Sequence, residues 1–345
     1  MSTNEKPLRA GVIGLGIGKT HVERYARLAG AELGAVCDLD RALADQLATQ
    51  YGCDTFSDPL TMLDAARLDV VSICTPPKLH PELTAAAAER GIAVLVEKPM
   101  ASTVAGCQEM IEVCRARGVT LMVGHKKRYA PPFVELRALT TPTGPLGPIR
   151  QVTLKYMHGG MSPKAWFWSE SDGGGPILEN HVHAADTLGF LVGAPRRVYA
   201  EGATRFVAER APQLNVAGYT ARFTGRDEAD GDVIVASGYG MIGPLPMQPL
   251  CDEAWFFGCE RGAAEVTGPF DNLQRLRWVE RGSRTNEIHD QAWPEADPFL
   301  FEIEHFLACV RTGAPPRSSG EAGLQAVRFC LAVKESAWSG KVVEL

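Results

Sequence analysis

Residues 8–18 read LRAGVIGLGIG, a short apolar run that passes directly into Gly14, Gly16 and Gly18. A buried strand turns this abruptly into a helix only where the turn residues lack a Cβ. Gly14 suits the tight turn. Gly16, with Ile17 beside it, lets bare backbone approach a pyrophosphate, and Gly18 allows the helix to pack closely on the sheet. The helix N-terminus then offers N–H groups to the phosphates. The spacing is G-x-G-x-G, with Lys19 standing where the third glycine of the usual G-x-G-x-x-G would fall. A second strand ends at Cys37-Asp38. Asp38 is at the right remove for a carboxylate that accepts from an adenosine ribose 2'-hydroxyl. The same charge repels a 2'-phosphate, so NAD is expected over NADP. Nearby Arg41 is the feature that points towards NADP, and the later motifs do not favour FAD.

The alternation that begins here continues. Apolar runs at 8–13, 31–37, 69–75, 92–97 and 120–124, with a weaker one at 54–56, read as strands. Amphipathic stretches at Thr20–Leu28, Arg41–Tyr51, Pro59–Ala65, Leu79–Arg90 and Val104–Arg117 read as helices. Strand runs that are apolar nearly throughout suit a parallel sheet covered on both faces. Residues 1–125 therefore form a doubly wound α/β dinucleotide-binding domain. After Tyr129 the pattern changes. A helix with an early proline covers APPFVELRAL, a strand 149–159 and a second helix 176–191. Strands follow at 197–208, 215–224, 232–239, 254–259, 263–266 and 273–279. No regular helices separate these strands, so residues 126–345 are expected to be an α/β domain with a mostly antiparallel sheet. The proline-rich stretch 240–250 reads as a loop or edge segment. Closing helices at Pro298–Arg311 and Glu321–Ser336 are placed with this second domain and are able to pack back on the first.

The formal net charge of -6 argues against a nucleic-acid surface or a polybasic membrane anchor. No apolar run reaches the roughly 18 residues needed to span a membrane. The start, MSTNEKPLRAGVIG, lacks a signal-peptide pattern. Nine cysteines are scattered without a CxxC pair. They read as buried thiols in a reducing, cytoplasmic setting.

Chemistry-bearing residues cluster at strand ends and in one helix. DVVSICTPPKLH ends a strand at Thr75-Pro76-Pro77 and leads His80 into a helix. Ligands bind at the carboxyl ends of parallel strands, so Thr75, Pro76 and His80 are candidate cofactor contacts; His80 is alternatively a local capping or packing residue. IAVLVEKPMA ends another strand at Glu97-Lys98-Pro99, placing Glu97 and Lys98 above the cofactor crevice. A lysine there can polarise a carbonyl or pass a proton. Otherwise it is a surface lysine paired with Glu97. In SDGGGPILENHVHAAD, Gly173–Gly175 and Pro176 launch a helix on which Glu179 and His183 are one turn apart, continued by Asp186 or Thr187. That spacing suits a general base and its orienting carboxylate. Asn180 and His181 are substrate-binding candidates, although His181 points away from His183 in a regular helix. Glu179, His181 and His183 do not form a zinc pattern, so no metal is expected. No cysteine sits in a nucleophile turn. GHKKRYAPPF offers His125 and Lys126, with Lys127 and Arg128, either as lining of an inter-domain cleft or as charged packing. Trp166, Phe167 and Trp168 form either an apolar wall for a substrate ring or loop packing.

The ordered set of glycine turn with His21, CTPPKLH, Glu97-Lys98-Pro99, GHKKRY, GGGPILENHVHAAD and the closing HFLACVRTGAPPRSSGEAGLQAV resembles the glucose–fructose oxidoreductase / inositol dehydrogenase / rhizopine catabolism family of NAD(P)-dependent oxidoreductases. The resemblance covers nearly the whole chain. It implies a Rossmann domain followed by an α/β domain with an open, mostly antiparallel sheet through which a homodimer or homotetramer assembles. It also implies hydride transfer at a secondary alcohol of a polyhydroxylated substrate: a sugar, a glycoside or a cyclitol such as an inositol. The family's catalytic lysine maps to Lys98 and its histidine to His183. The frequent aspartate one turn earlier maps to Glu179, whose longer side chain either orients His183 or grips a substrate hydroxyl. Asn180 and His181 replace residues that are commonly small or apolar. The alternatives are a dihydrodiol or tetrapyrrole oxidoreductase on the same fold, and a non-catalytic NAD-binding sensor or structural protein. The polar helix opposes the first; Lys98 and His183 oppose the second.

Overall fold

A computed structural model describes residues 6–158, 164–206, 213–226, 231–241, 252–269, 272–282 and 287–345. The chain divides into two compact units, Met1–Lys126 with Asp297–Leu324, and Lys127–Ala296 with Gln325–Leu345.

The first unit runs β1 (Leu8–Ile13), α1 (Gly18–Tyr25), β2 (Ala31–Cys37), α2 (Arg41–Tyr51), β3 (Asp54–Phe56), α3 (Pro59–Ala65), β4 (Val70–Ile73), α4 (His80–Glu89), β5 (Ala93–Glu97), α5 (Val104–Arg117) and β6 (Leu121–Gly124). The strands are parallel in the order β3-β2-β1-β4-β5-β6. Val12, Val70, Val71, Ile73, Val94, Leu95 and Val96 are fully buried or nearly so. Helices cover both faces, which is why these runs are apolar without alternation. The helix boundaries are set locally. Asp40 accepts from Leu43 N–H at the start of α2, Asp58 from Thr61 N–H at the start of α3, and Thr103 from Gly106 N–H at the start of α5. Strand order reverses between β1 and β4, which places the switch point of the doubly wound sheet at their carboxyl ends.

The second unit begins with α6 (Pro131–Leu139), β7 (Ile149–His158), α7 (Ala165–Trp168), α8 (Gly175–Glu179) and α9 (Val182–Val192). It continues through β8 (Pro195–Ala203), β9 (Val216–Phe223), β10 (Val233–Met241), β11 (Asp252–Cys259), β12 (Gly262–Pro269), β13 (Arg275–Glu280) and β14 (His289–Ala292). The chain then forms α10 (Pro298–Thr312), α11 (Gly320–Ser339) and β15 (Val343–Glu344). Among the described residues the sheet order is β14-β13-β12-β11-β7-β10-β9-β8-β15. All its pairings are antiparallel except β7 with β10. β9 alternates buried and exposed residues, so one sheet face is packed and the other open. On the packed face Phe329 of α11 meets Tyr219 and Phe223 of β9 edge-on or tilted. α10 packs in the first unit against α1, with Arg24 Nε donating to Asp297 at 3.1 Å.

The structure differs from the sequence reading in several places. The helix expected over 176–191 is two helices, α8 and α9, broken at Asn180-His181. The strand read over 197–208 starts at Pro195 and ends at Ala203; its residues 207 and 208, like 242–250 of the proline-rich stretch, lie outside the described residues. The short α7, β14 and β15 are additions, and the parallel β7–β10 pair interrupts the antiparallel sheet.

Candidate active site

The β1–α1 turn is built as its glycines require. Gly14 has φ 86°, and a Cβ there would stand 2.6 Å from the Cys74 carbonyl oxygen. Gly18 opens α1, where a Cβ would meet Val12 Cγ1 at 3.0 Å and Cys74 Cβ at 3.3 Å. Gly18 thus meets the close helix–sheet packing that a third glycine usually serves, and Lys19 is exposed. Gly16 and Ile17 are exposed at the tip of the turn. Asp38 stitches the end of β2 to this turn: one carboxylate oxygen accepts from Leu15 N–H at 2.5 Å, the other from Asp40 N–H at 2.8 Å. Each oxygen keeps acceptor capacity for a ribose hydroxyl. Arg41 is paired with Asp45 along α2 at 3.2 Å. At the end of β4 the buried Thr75 Oγ1 has no hydrogen-bond partner among the described residues. The cradle that a Cβ would fill, the carboxylate at the end of β2 and this hydroxyl at the switch point fit a bound NAD.

His80 is fully buried. Nε2 meets the Thr75 carbonyl at 2.8 Å, and Nδ1 meets those of Pro99 and Met100 at 3.2 and 3.1 Å. Its ring braces the β4 exit against the turn after Lys98, so its polar atoms are committed to backbone rather than to a cofactor. Burial pushes its pKa down, against the pull of those carbonyls and of Glu97.

Lys98 follows the last residue of β5, is half-buried, and joins Pro99 through a cis peptide. Glu97, 4% exposed, turns inward. Its Oε1 pairs with His21 Nε2 at 3.1 Å, and its Oε2 accepts from the Lys98 amide at 3.0 Å. His21 Nδ1 reaches Ser72 Oγ at 3.0 Å, and Ser72 Oγ lies 2.9 Å from the Tyr25 hydroxyl. Burial alone would raise the Glu97 carboxyl. The His21 hydrogen bond and charge, then the charge and amide of Lys98, outweigh it and hold the carboxyl below its ordinary range. Tyr25 and Ser72 were not among the sequence candidates. The available signal was a serine inside the otherwise apolar VVSI strand, since a buried hydroxyl needs a partner.

The GHKKRY run separates into distinct roles. His125 is buried, and Lys126 Nζ lies 4.5 Å from the Phe299 ring centroid. Lys127 and Arg128 are structural. Lys127 Nζ lies 2.6 Å from both oxygens of Glu253 on β11, and Trp255 Nε1–H donates to the same carboxylate at 2.7 Å. Both partners are at most 4% exposed. Removing one partner of such a buried pair costs about 3–5 kcal/mol. Arg128 forms a second buried pair with Asp186. Asp186 is thereby occupied and does not extend a catalytic face, while Thr187 donates back to the His183 carbonyl at 2.8 Å.

The break between α8 and α9 has a visible cause. The Asn180 carbonyl accepts from the Tyr156 hydroxyl of β7 at 3.0 Å, and its other donor is the His183 amide at 3.3 Å, so it leaves the regular helical ladder. The Tyr239 hydroxyl of β10 donates to the Pro176 carbonyl at 3.2 Å. Glu179 and His183 therefore stand on successive helices, and the shared helical face inferred from their spacing does not exist. Glu179 and Asn180 are half-buried, and His183 is 7% exposed. His181 turns into the core, fully buried and edge-on to Tyr156, Tyr219 and Tyr239, with Nε2 2.8 Å from the Tyr219 hydroxyl. Burial and then the Lys127 charge push its pKa down to about 3. It is a core histidine at the helix break, not a substrate contact. Upstream, Lys334 of α11 donates to the Gly174 carbonyl at 2.8 Å and pairs with Glu170, holding the glycine turn that launches α8. Phe167 and Trp168 are buried and Trp166 is half-buried, with the three rings in edge contact. Loop packing therefore accounts for Phe167 and Trp168.

Among the described residues no group of three or more His, Cys, Asp or Glu side chains could hold a metal, and no helix is long and apolar enough to cross a membrane. Burial raises the Cys37 and Cys107 thiols to about 12, which keeps them protonated and poor nucleophiles.

A glycine cradle at the switch point of a parallel sheet, with a carboxylate at the end of β2, defines a dinucleotide-binding domain. Residues 8–125 match the oxidoreductase family with NAD-binding Rossmann fold, and residues 133–243 match the GFO/IDH/MocA C-terminal domain. The chain belongs to that family of NAD(P)-dependent oxidoreductases. It is 35% identical to the D-glucoside 3-dehydrogenase of Escherichia coli over 55% of each chain. It is 29% identical to inositol 2-dehydrogenase 4 of Saccharopolyspora erythraea over 98% of this chain and 95% of that one. Its fold matches the WlbA dehydrogenase of Bordetella pertussis, solved with NADH and UDP-GlcNAcA, with a TM-score of 0.80, 23% identity and 99% of each chain covered.

Proposed function

We propose that this protein catalyses reversible hydride transfer between NAD and a secondary alcohol carbon of a sugar, glycoside or cyclitol. The observation that carries this reading is Lys98, which follows the carboxyl end of β5, next to β4 of the switch point, with its amide anchored by Glu97. The dehydrogenase relatives named for a glucoside and for inositol support the substrate class. Gly14, Gly16, Ile17 and Gly18 hold the pyrophosphate, Asp38 the ribose, and Thr75 and Pro76 flank the nicotinamide. Bound NAD supplies the acceptor of the hydride. In the oxidation direction His183 takes the hydroxyl proton while the Lys98 ammonium donates to the same oxygen and stabilises its developing negative charge. Glu179 orients His183 or accepts from a neighbouring hydroxyl, and Asn180, His125, Lys126 and Trp166 are further candidates for holding the substrate. In reduction, protonated His183 returns the proton.

Preference for NAD over NADP rests on the Asp38 carboxylate and on the engagement of Arg41 by Asp45. A panel of cyclitols, aldoses and glycosides, followed by nicotinamide absorbance with each cofactor, is expected to reveal turnover with at least one polyol and higher kcat/KM with NAD. Tight NAD binding without turnover on any member would overturn the enzyme reading.

The open face of the second-unit sheet supports a homodimer or homotetramer. Ile234 and Phe256 are about half exposed there, and Gly218 pairs with Gly238 on the same face. Sedimentation is expected to show an oligomer that Phe256→Arg dissociates; a monomeric wild-type protein defeats the assignment. The proposed location is the cytoplasm, in keeping with eight described cysteines that form no disulfide.

A further inference from the structure

We propose that Glu97, held by His21, is a positioning residue that fixes the direction of Lys98 and keeps its ammonium charged. The proposal rests on the reading that Lys98 contacts the reacting oxygen. A carboxylate in the core is costly unless it is paired and hydrogen-bonded. Here an apolar residue would end β5 at less cost, yet the surroundings are shaped for a carboxylate. Gly124 on the neighbouring β6 leaves the necessary space, since a Cβ there would stand 3.2 Å from Glu97 Cδ. His21 Nε2 donates to Glu97 Oε1 and the Lys98 amide to Glu97 Oε2, and the His21 ring is in turn tied through Ser72 Oγ to the Tyr25 hydroxyl. The chain ends on the carboxylate, one residue from the lysine.

The other ionisable groups facing this centre are three that burial holds neutral and one further buried carboxylate, Glu302. Burial pushes the Tyr25 phenol on α1 and the Cys74 thiol after β4 upward, and both stay neutral. Burial pushes His80 on α4 downward. Glu302 on α10 acts by its charge on Tyr25 and Cys74. The Glu97 and Lys98 charges act on one another, which favours the charged lysine and opposes the desolvation and the nicotinamide cation that favour its neutral form.

The test is the titration of Lys98 in the full-length protein, followed by NMR of carbon-13-labelled lysine and assigned by the signal lost in Lys98→Met. In the wild type without NAD, Lys98 is expected to titrate at or above the ordinary lysine value of about 10.4. A midpoint below about 9 would overturn the proposal without any variant. In Glu97→Gln the midpoint is expected to fall by about 1–3 units, the basic limb of kcat/KM moving with it, while Glu97→Asp restores most of the shift. An unchanged Lys98 titration in Glu97→Gln, with Lys98→Met inactive, defeats the role of Glu97 alone. Wild-type turnover in Lys98→Met defeats the reading of Lys98 on which it rests.

Discussion

Lys98→Met is expected to lower kcat and kcat/KM for alcohol oxidation together, by about 10²–10³-fold, with little change in the dissociation constant of NAD. The size follows from the role proposed for Lys98, one charged donor to an oxygen that gains negative charge as hydride leaves, a loss typically worth about 10²–10³ in rate. A parallel fall in both constants is the mark of an interaction made chiefly in the transition state. Lys98→Arg is not expected to rescue. Its planar guanidinium is bulkier than an ammonium and cannot place a single donor at the same point above β5. The measurement is single-turnover reduction of NAD, with a deuterated alcohol to establish that hydride transfer is the step observed. A rate within tenfold of wild type would remove Lys98 from the chemistry.

The first unit was readable because its determinants are local. The runs at 8–13, 31–37 and 54–56 are the observed strands, and Asp40, Asp58 and Thr103 mark helix starts in the sequence itself. The glycine turn was readable because Gly14 holds a positive φ against the Cys74 carbonyl and a Cβ on Gly18 would crowd Val12 and Cys74. What escaped was set at long range. The stretch 176–191 carries a continuous helical pattern, and around its break the hydroxyls of Tyr156 and Tyr239, contributed by β7 and β10, donate to the Asn180 and Pro176 carbonyls. The same tyrosines, with Tyr219, decide that His181 is core. Parallel pairing of β7 with β10 cannot be read from alternation, which parallel and antiparallel neighbours share. His80 shows the limit at a candidate contact: its place after a strand end indicated proximity to the cofactor crevice, but the carbonyls that occupy its ring lie on a turn about twenty residues away.

His183→Asn is expected to lower kcat about 10²–10⁴-fold, the usual worth of a positioned general base. Wild-type oxidation is expected to lose rate in acid, where a protonated His183 no longer accepts the hydroxyl proton. The variant is expected to lose that limb, since asparagine does not titrate, and to regain part of the rate when imidazole is added. His181 supplies the contrast in the same short segment. Its pKa is pushed down to about 3 by burial, so it stays neutral through the pH range of activity. His181→Phe is expected to leave the acid limb of kcat in place. Its titration appears instead in stability. The folded state holds the ring neutral while the unfolded chain protonates it near 6.5, so the unfolded state binds more protons as pH falls. Stability is therefore fully present above about 6.5 and lost progressively towards about 3, a loss of a few kcal/mol that His181→Phe should reduce. Urea unfolding at several pH values, beside the kinetic profiles, separates the two histidines. An acid limb that vanishes with His181→Phe and survives His183→Asn would reverse their assignment.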